Sequence, residues 1–161
     1  MKYIIALAIT FSALPSFAAI TSVQGGLSMV NSIMALSIDV DYQKKRSHSF
    51  GGFFVYGQQE SDGDPGDQLR EGFFAVGGDL KVFFGPKGWK LYMAPGVGLI
   101  SYDQGGDESE MTVGTLFKVG SLIRVAPNFY LGLEQMFLQN WFNRPAGGYH
   151  VFSNFSVRVN F

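Results

Sequence analysis

The stretch Gly148–Phe161 alternates with a period of two along most of its length. Phe161, Val159, Val157, Phe155, Ser153, Val151 and Tyr149 share one parity. Asn160, Arg158, Ser156, Asn154, Phe152 and His150 share the other. That period belongs to a strand with one apolar face and one mostly polar face. A bare apolar face of this length suits a water-soluble domain badly. It suits the closing strand of a transmembrane barrel, whose apolar face meets lipid and whose polar face meets the lumen.

Seven further segments read as strands, at about Thr21–Val30, Ile33–Tyr42, Phe50–Gly57, Gly72–Phe84, Trp89–Tyr102, Thr112–Val125 and Phe129–Phe142. A two-residue turn at Asn31 and Ser32 sets Met29 opposite Met34 and keeps the parity of the first hairpin. Phe50–Gly57 is so rich in Phe and Gly that its faces stay unassigned. Pro95 inside the fifth segment removes one ladder donor. Gln135 and Gln139 interrupt the apolar face of the seventh, which suggests a bulge there. Most segments reach the roughly 9–11 residues that a tilted strand needs to cross a bilayer. Aromatics fall into two bands, Tyr42, Phe84, Trp89, Phe129 and Phe161 at one end and Tyr56, Phe73, Tyr102, Trp141 and Tyr149 at the other, as membrane girdles do.

Gly148–Phe161 resembles the C-terminal signature of bacterial outer-membrane β-barrels. Gly78–Phe84 followed by Trp89–Gly98 is similar to a hairpin of the small eight-stranded members, the OmpX, OmpA and OmpW kind. The fold class expected is therefore all-β, an eight-stranded antiparallel up-and-down transmembrane barrel in the bacterial outer membrane. The resemblance implies that Phe155, Val157, Val159 and Phe161 are read by the barrel-assembly machinery and that Phe161 lies on the periplasmic side. Ala126–Asn128, Gly85–Gly88 and Gln43–Ser49 then become periplasmic turns. Asn143–Gly147, Asp103–Glu110, Gln58–Arg70 and the tight turn at Asn31 and Ser32 become outer connections. The resemblance speaks to location and fold more than to function.

Met1 and Lys2 precede an apolar run that ends at Pro15, followed by Ser16, Phe17 and Ala18. That pattern is a signal peptide at 1–18, with the barrel domain at 19–161. With 0 Cys there is neither a disulfide framework nor a thiolate metal site. A net charge of −1 suggests no nucleic-acid partner. The 21 Gly and 16 Phe are unusual for a soluble enzyme and ordinary for a small barrel.

Four candidate sites stand out. By parity the lumen receives Asp39, Asp41, Asp79 and Glu134 together with Lys81, Lys90, Lys118, Arg124 and Arg158. Near-balance of sign is what a packed polar interior requires, because an unpaired buried charge is costly. Glu134 is expected to pair with Lys118 or Arg158. Glu60, Asp62, Asp64, Asp67, Asp103, Asp107, Glu108 and Glu110 gather in two loops. They read as solvated loops, with divalent bridging to lipopolysaccharide phosphates as the alternative, since Gly66 falls where an EF-hand needs a ligand. The basic turn at Lys44–Arg46 likewise reads as solvated. His150 and Ser153 evoke a barrel acyl hydrolase. Three residues apart on a strand, they point to opposite faces, and no acid follows them.

The function expected is structural, in envelope integrity or surface interaction, with the lumen plugged by side chains and no enzymatic activity, cofactor or metal. The alternatives are a narrow pore for small or apolar solutes, as the OmpW likeness implies, and a lipid-modifying enzyme. The partners expected are outer-membrane lipid and lipopolysaccharide and the barrel-assembly machinery, with the chain itself a monomer.

Overall fold

A computed structural model describes residues 21–30, 33–45, 47–60, 70–103, 109–141 and 149–161. Eight strands, β1 (Ser22–Val30), β2 (Ile33–Lys45), β3 (His48–Glu60), β4 (Arg70–Phe84), β5 (Trp89–Asp103), β6 (Ser109–Ala126), β7 (Phe129–Asn140) and β8 (Tyr149–Asn160), pair in sequence order. β8 returns to β1 and closes the barrel. Every pairing is antiparallel, and Met29 stands opposite Met34 in the first hairpin. The signal peptide expected at 1–18 lies outside the described residues.

Several strands run further than hydropathy alone suggests. β3 extends from His48 to Glu60, taking in polar residues at both ends. β2 reaches Lys45 across a register irregularity between Tyr42 and Lys45. The ladder persists because backbone pairing needs a neighbouring strand and not an apolar face. The β4–β5 ladder skips the positions of Pro95 and Ala94, where the missing N–H removes a donor. No bulge occurs at Gln135. β7 alternates without a break, and Gln135 stays on the outer face opposite Ser153. Gly85 turns the β4–β5 connection at φ 101°, a backbone conformation that favours glycine.

The distribution of side chains is inverted relative to a soluble barrel. Leu27, Leu91, Val97, Ile123, Leu133 and Phe155 are exposed, Leu133 by 65%, while Lys81 and Lys118 are fully buried. An apolar belt around a closed sheet is stable against hydrocarbon, and closure leaves no unpaired edge to desolvate. No helix among the described residues is long and apolar enough to cross a membrane. Phe73 leaves the girdle expected from sequence. It is buried inside the barrel, its ring 5.8 Å from that of Phe152. The side chains of Tyr102 and Tyr149 lie outside the described residues.

The interior is layered. At the end carrying the Gly85–Gly88 and Pro127–Asn128 turns, Phe83, Tyr92, Ala94, Leu122 and Tyr130 form an apolar and aromatic cluster. At the opposite end, Phe53, Val55, Phe73, Ile100, Leu116, Leu138 and Phe152 belong to a second, larger cluster. The charged side chains expected to fill the lumen are therefore flanked by apolar clusters, with further buried polar residues such as Ser22, Thr112 and Asn140 towards the two ends. Two of the bulky rings fit because glycine stands opposite them. Gly57 pairs with Phe73 and Gly120 with Tyr92, and a Cβ at either glycine would fall within 2.5 Å of the facing ring.

Candidate functional site

Between the two apolar clusters lies a layer of buried ionic and amide side chains. Alternation delivers them, because Asp39 and Asp41 on β2, Asp79 and Lys81 on β4, Lys118 on β6, Glu134 on β7 and Arg158 on β8 all take inward positions. Lys81 Nζ donates to Asp39 Oδ2 at 2.9 Å and to Asp41 Oδ2 at 3.0 Å. Lys118 Nζ donates to Asp79 Oδ2 at 2.8 Å and to Asp39 Oδ1. Arg158 Nη1 donates to Asp41 Oδ2 at 2.6 Å, its Nη2 donates to Ser22 Oγ at 2.6 Å, and its Nε donates to Asn160 Oδ1 at 3.1 Å. Three bases and three aspartates thus form one continuous network. Every member is at most a few per cent exposed, apart from Asp79 at 6%.

Two links cross the lumen at its full width. β2 and β6 are four strands apart in either direction around the barrel, and Asp39 meets Lys118 between them. β1 and β5 are likewise opposed. Gln24 Nε2 donates to the Tyr92 hydroxyl at 2.8 Å across that diameter. Cation–π contacts accompany the network, with Lys118 Nζ 5.1 Å from the Phe53 ring centroid and Arg158 Cζ 5.0 Å from that of Phe83.

Glu134 departs from the sequence expectation. Among the described residues it pairs with no base. The Tyr92 hydroxyl donates to its Oε2, Gln24 Nε2 donates to the same atom at 3.2 Å, and Asn154 Nδ2 donates to Oε1 at 3.2 Å. Lys118, one of the two bases expected to meet it, is already held by two aspartates. Arg124 also departs. Its parity is inward, but it sits where the β6–β7 register shifts, exposed, with Nε donating to the Ala126 carbonyl at 3.2 Å. Parity does not report how near a residue stands to the barrel mouth. Lys90 is half-buried at the same end, its Nζ 5.2 Å from the Phe83 centroid and 5.4 Å from the Tyr130 centroid.

Gln24, Tyr92, Asn154 and Ser22 complete the layer and were not singled out by charge. A signal for Tyr92 was present, since it shares the parity of Lys90 between the outward Leu91 and Met93. His150 and Ser153 do not form a site together. His150 turns inward and stacks on Phe73 at 5.2 Å, while the Ser153 hydroxyl donates to Gln135 Oε1 at 2.7 Å on the outer face. Among the described residues no group of His, Cys, Asp or Glu is arranged to hold a metal ion. The two acidic loops fall largely outside the described residues.

Phe155, Val157, Val159 and Phe161 lie in one outward file, with Phe155 and Phe161 exposed. The Phe161 N–H donates to the Thr21 carbonyl at 2.8 Å, tying the end of the chain to the start of β1.

No protein-family model matches the chain, and no curated protein matches it. Solved structures do. Neisserial surface protein A is similar over 88% of this chain and 95% of its own, at 16% identity and a TM-score of 0.63. The N-terminal β-barrel domain of Pseudomonas aeruginosa OprF is similar over 88% of this chain and 96% of its own, at 14% identity and a TM-score of 0.60. The Yersinia pestis outer membrane protein Ail in a phospholipid bilayer nanodisc is similar over 89% of this chain and 99% of its own, at 11% identity and a TM-score of 0.61. The chain has the fold of the small eight-stranded bacterial outer-membrane barrels.

Proposed function

We propose that this chain is a plugged barrel of the bacterial outer membrane with a structural role, in envelope integrity or in surface interaction through its connections, and without enzymatic activity. The observation that carries the reading is the meeting of Lys118 and Asp39 across the barrel diameter, inside a layer in which carboxylate, ammonium and guanidinium groups hold one another. Side chains that span an eight-stranded lumen leave no aqueous path at that level. The separation of His150 from Ser153 onto opposite faces supports a non-enzymatic role, because acyl transfer needs a base within hydrogen-bond reach of its nucleophile. The fold shared with the Neisserial, Pseudomonas and Yersinia barrels supports the outer-membrane setting. Outer-membrane lipid and lipopolysaccharide are then the surroundings of the belt, and the file from Phe155 to Phe161 is the surface offered to the assembly machinery.

Cells lacking the chain test this reading. They should admit large apolar dyes more readily or lose binding of a surface partner, while their lipid A keeps its acylation pattern. A lipid A pattern that changes with the chain and reverts with its return would replace the structural reading by the enzymatic one.

A further inference from the structure

The lipid-facing surface is uneven. Across the middle of the belt, the outward positions of β1 to β5 carry aliphatic, aromatic, methionine, glycine or proline residues. β6 to β8 differ. Gln135 stands directly opposite Ser153, Thr115 stands opposite Gln139, and Ser121 lies on the same face. Gln135 is near the middle of β7, far from either rim. The Ser153 hydroxyl donates to its Oε1. That leaves the Gln135 amide nitrogen, a double donor, with no hydrogen-bond partner among the described residues. Hydrocarbon supplies none either, and a polar group turned to lipid at mid-membrane is rare because it is costly.

We infer that the outer face of β6–β8 is an interface, and that its occupant is a second copy of this chain related by a two-fold axis near Gln135. The chemistry selects that partner. The stripe is neutral, so it calls for no charged surface. Amides and hydroxyls both donate and accept, so the stripe is complementary to itself, as a two-fold contact requires. Two primary amides facing across a two-fold axis form a reciprocal pair of N–H···O bonds. Gln135 Oε1 retains a second lone pair for this while still accepting from Ser153. Leu133, 65% exposed, and Phe137 flank the amide and supply the apolar packing around it. A dimer would then stand in place of the monomer expected from sequence.

The test uses the full chain in lipid vesicles and in native membranes. With no native cysteine, a single Leu133→Cys on β7 and a single Phe54→Cys on β3, on the far side of the barrel, report contact through a short bis-maleimide. A cross-linked dimer is expected from Leu133→Cys and not from Phe54→Cys. Adding Gln135→Leu to Leu133→Cys should lower the dimer yield roughly three- to tenfold, the range that hydrogen bonds inside membranes provide. The same change should leave the heat-modifiable folded barrel as abundant as before, because it removes an unpaired lipid-facing donor. Equal cross-linking from both positions, a yield indifferent to Gln135→Leu, or cross-linking only to a different protein would each overturn the inference.

Discussion

Lys118 on β6 and Asp39 on β2 meet across the whole width of the barrel, and Lys118 also holds Asp79, 2.8 Å away. Removing the ammonium strands carboxylates in a low-dielectric interior. Lys118→Met should therefore lower stability by about 3–5 kcal/mol, the range for breaking a buried pair from one side. The double variant Lys118→Met with Asp79→Leu removes the stranded group as well, while Asp39 keeps Lys81. It should recover most of the loss. Urea unfolding of the folded barrel in vesicles measures both. A double variant no better than the single one would mean that the network holds the fold by something other than charge compensation.

Glu134 is held by neutral donors, and Tyr92 is the one that reaches it from β5. Tyr92→Phe should cost about 1–3 kcal/mol, the penalty for leaving a buried acceptor short of a donor. Combined with Glu134→Gln, the effects should be coupled by at least about 0.5 kcal/mol. Strict additivity in the double-mutant cycle would show that the hydroxyl and the carboxyl do not depend on each other.

Glycine makes room for two interior rings. A Cβ at Gly57 would lie 2.3 Å from Phe73 Cζ, and one at Gly120 would lie 2.5 Å from Tyr92 Cζ. Gly57→Ala and Gly120→Ala should each destabilise by about 1–3 kcal/mol through overpacking. Gly88, with nothing within 4 Å of an added Cβ, is the control, and Gly88→Ala should change little. Thermal unfolding in detergent separates these outcomes, and equal losses at all three positions would refute the packing explanation.

Phe161 is 78% exposed at the end of the outward file that begins at Phe155. If the file is an assembly signal, deleting Phe161 should reduce the folded barrel found in the outer membrane, while the purified chain still refolds in detergent. Equal amounts of heat-modifiable barrel in cells from both forms would show that assembly does not read this side chain.

The number of strands, their order and the hairpin register at Met29 and Met34 were legible because a period of two survives wherever lipid and lumen face each other across a strand. The lumen was less legible. Parity puts Lys118 and Arg124 on the same side, yet one is fully buried and the other exposed, since depth along the barrel follows from register and not from alternation. Parity also hides partner choice. Glu134 was expected to find a base, but the bases were already engaged by Asp39, Asp41 and Asp79, and it is Gln24, Tyr92 and Asn154 that surround it. These three come from β1, β5 and β8; β1 and β8 pair along their length, but β5 reaches them only across the closed interior. Phe73 misled differently, because an aromatic on the inward parity fills the interior as readily as one on the outward parity anchors a girdle.

The central claim is that side chains close the lumen, and conductance of the purified chain in planar lipid bilayers tests it most directly. The account predicts no steady single-channel current from the wild type. It also predicts that Lys118→Ala combined with Asp39→Ala, which removes the link across the diameter, admits intermittent current. Stable, ion-selective channels from the wild type, unchanged by that double substitution, would contradict the plugged barrel and favour a narrow pore.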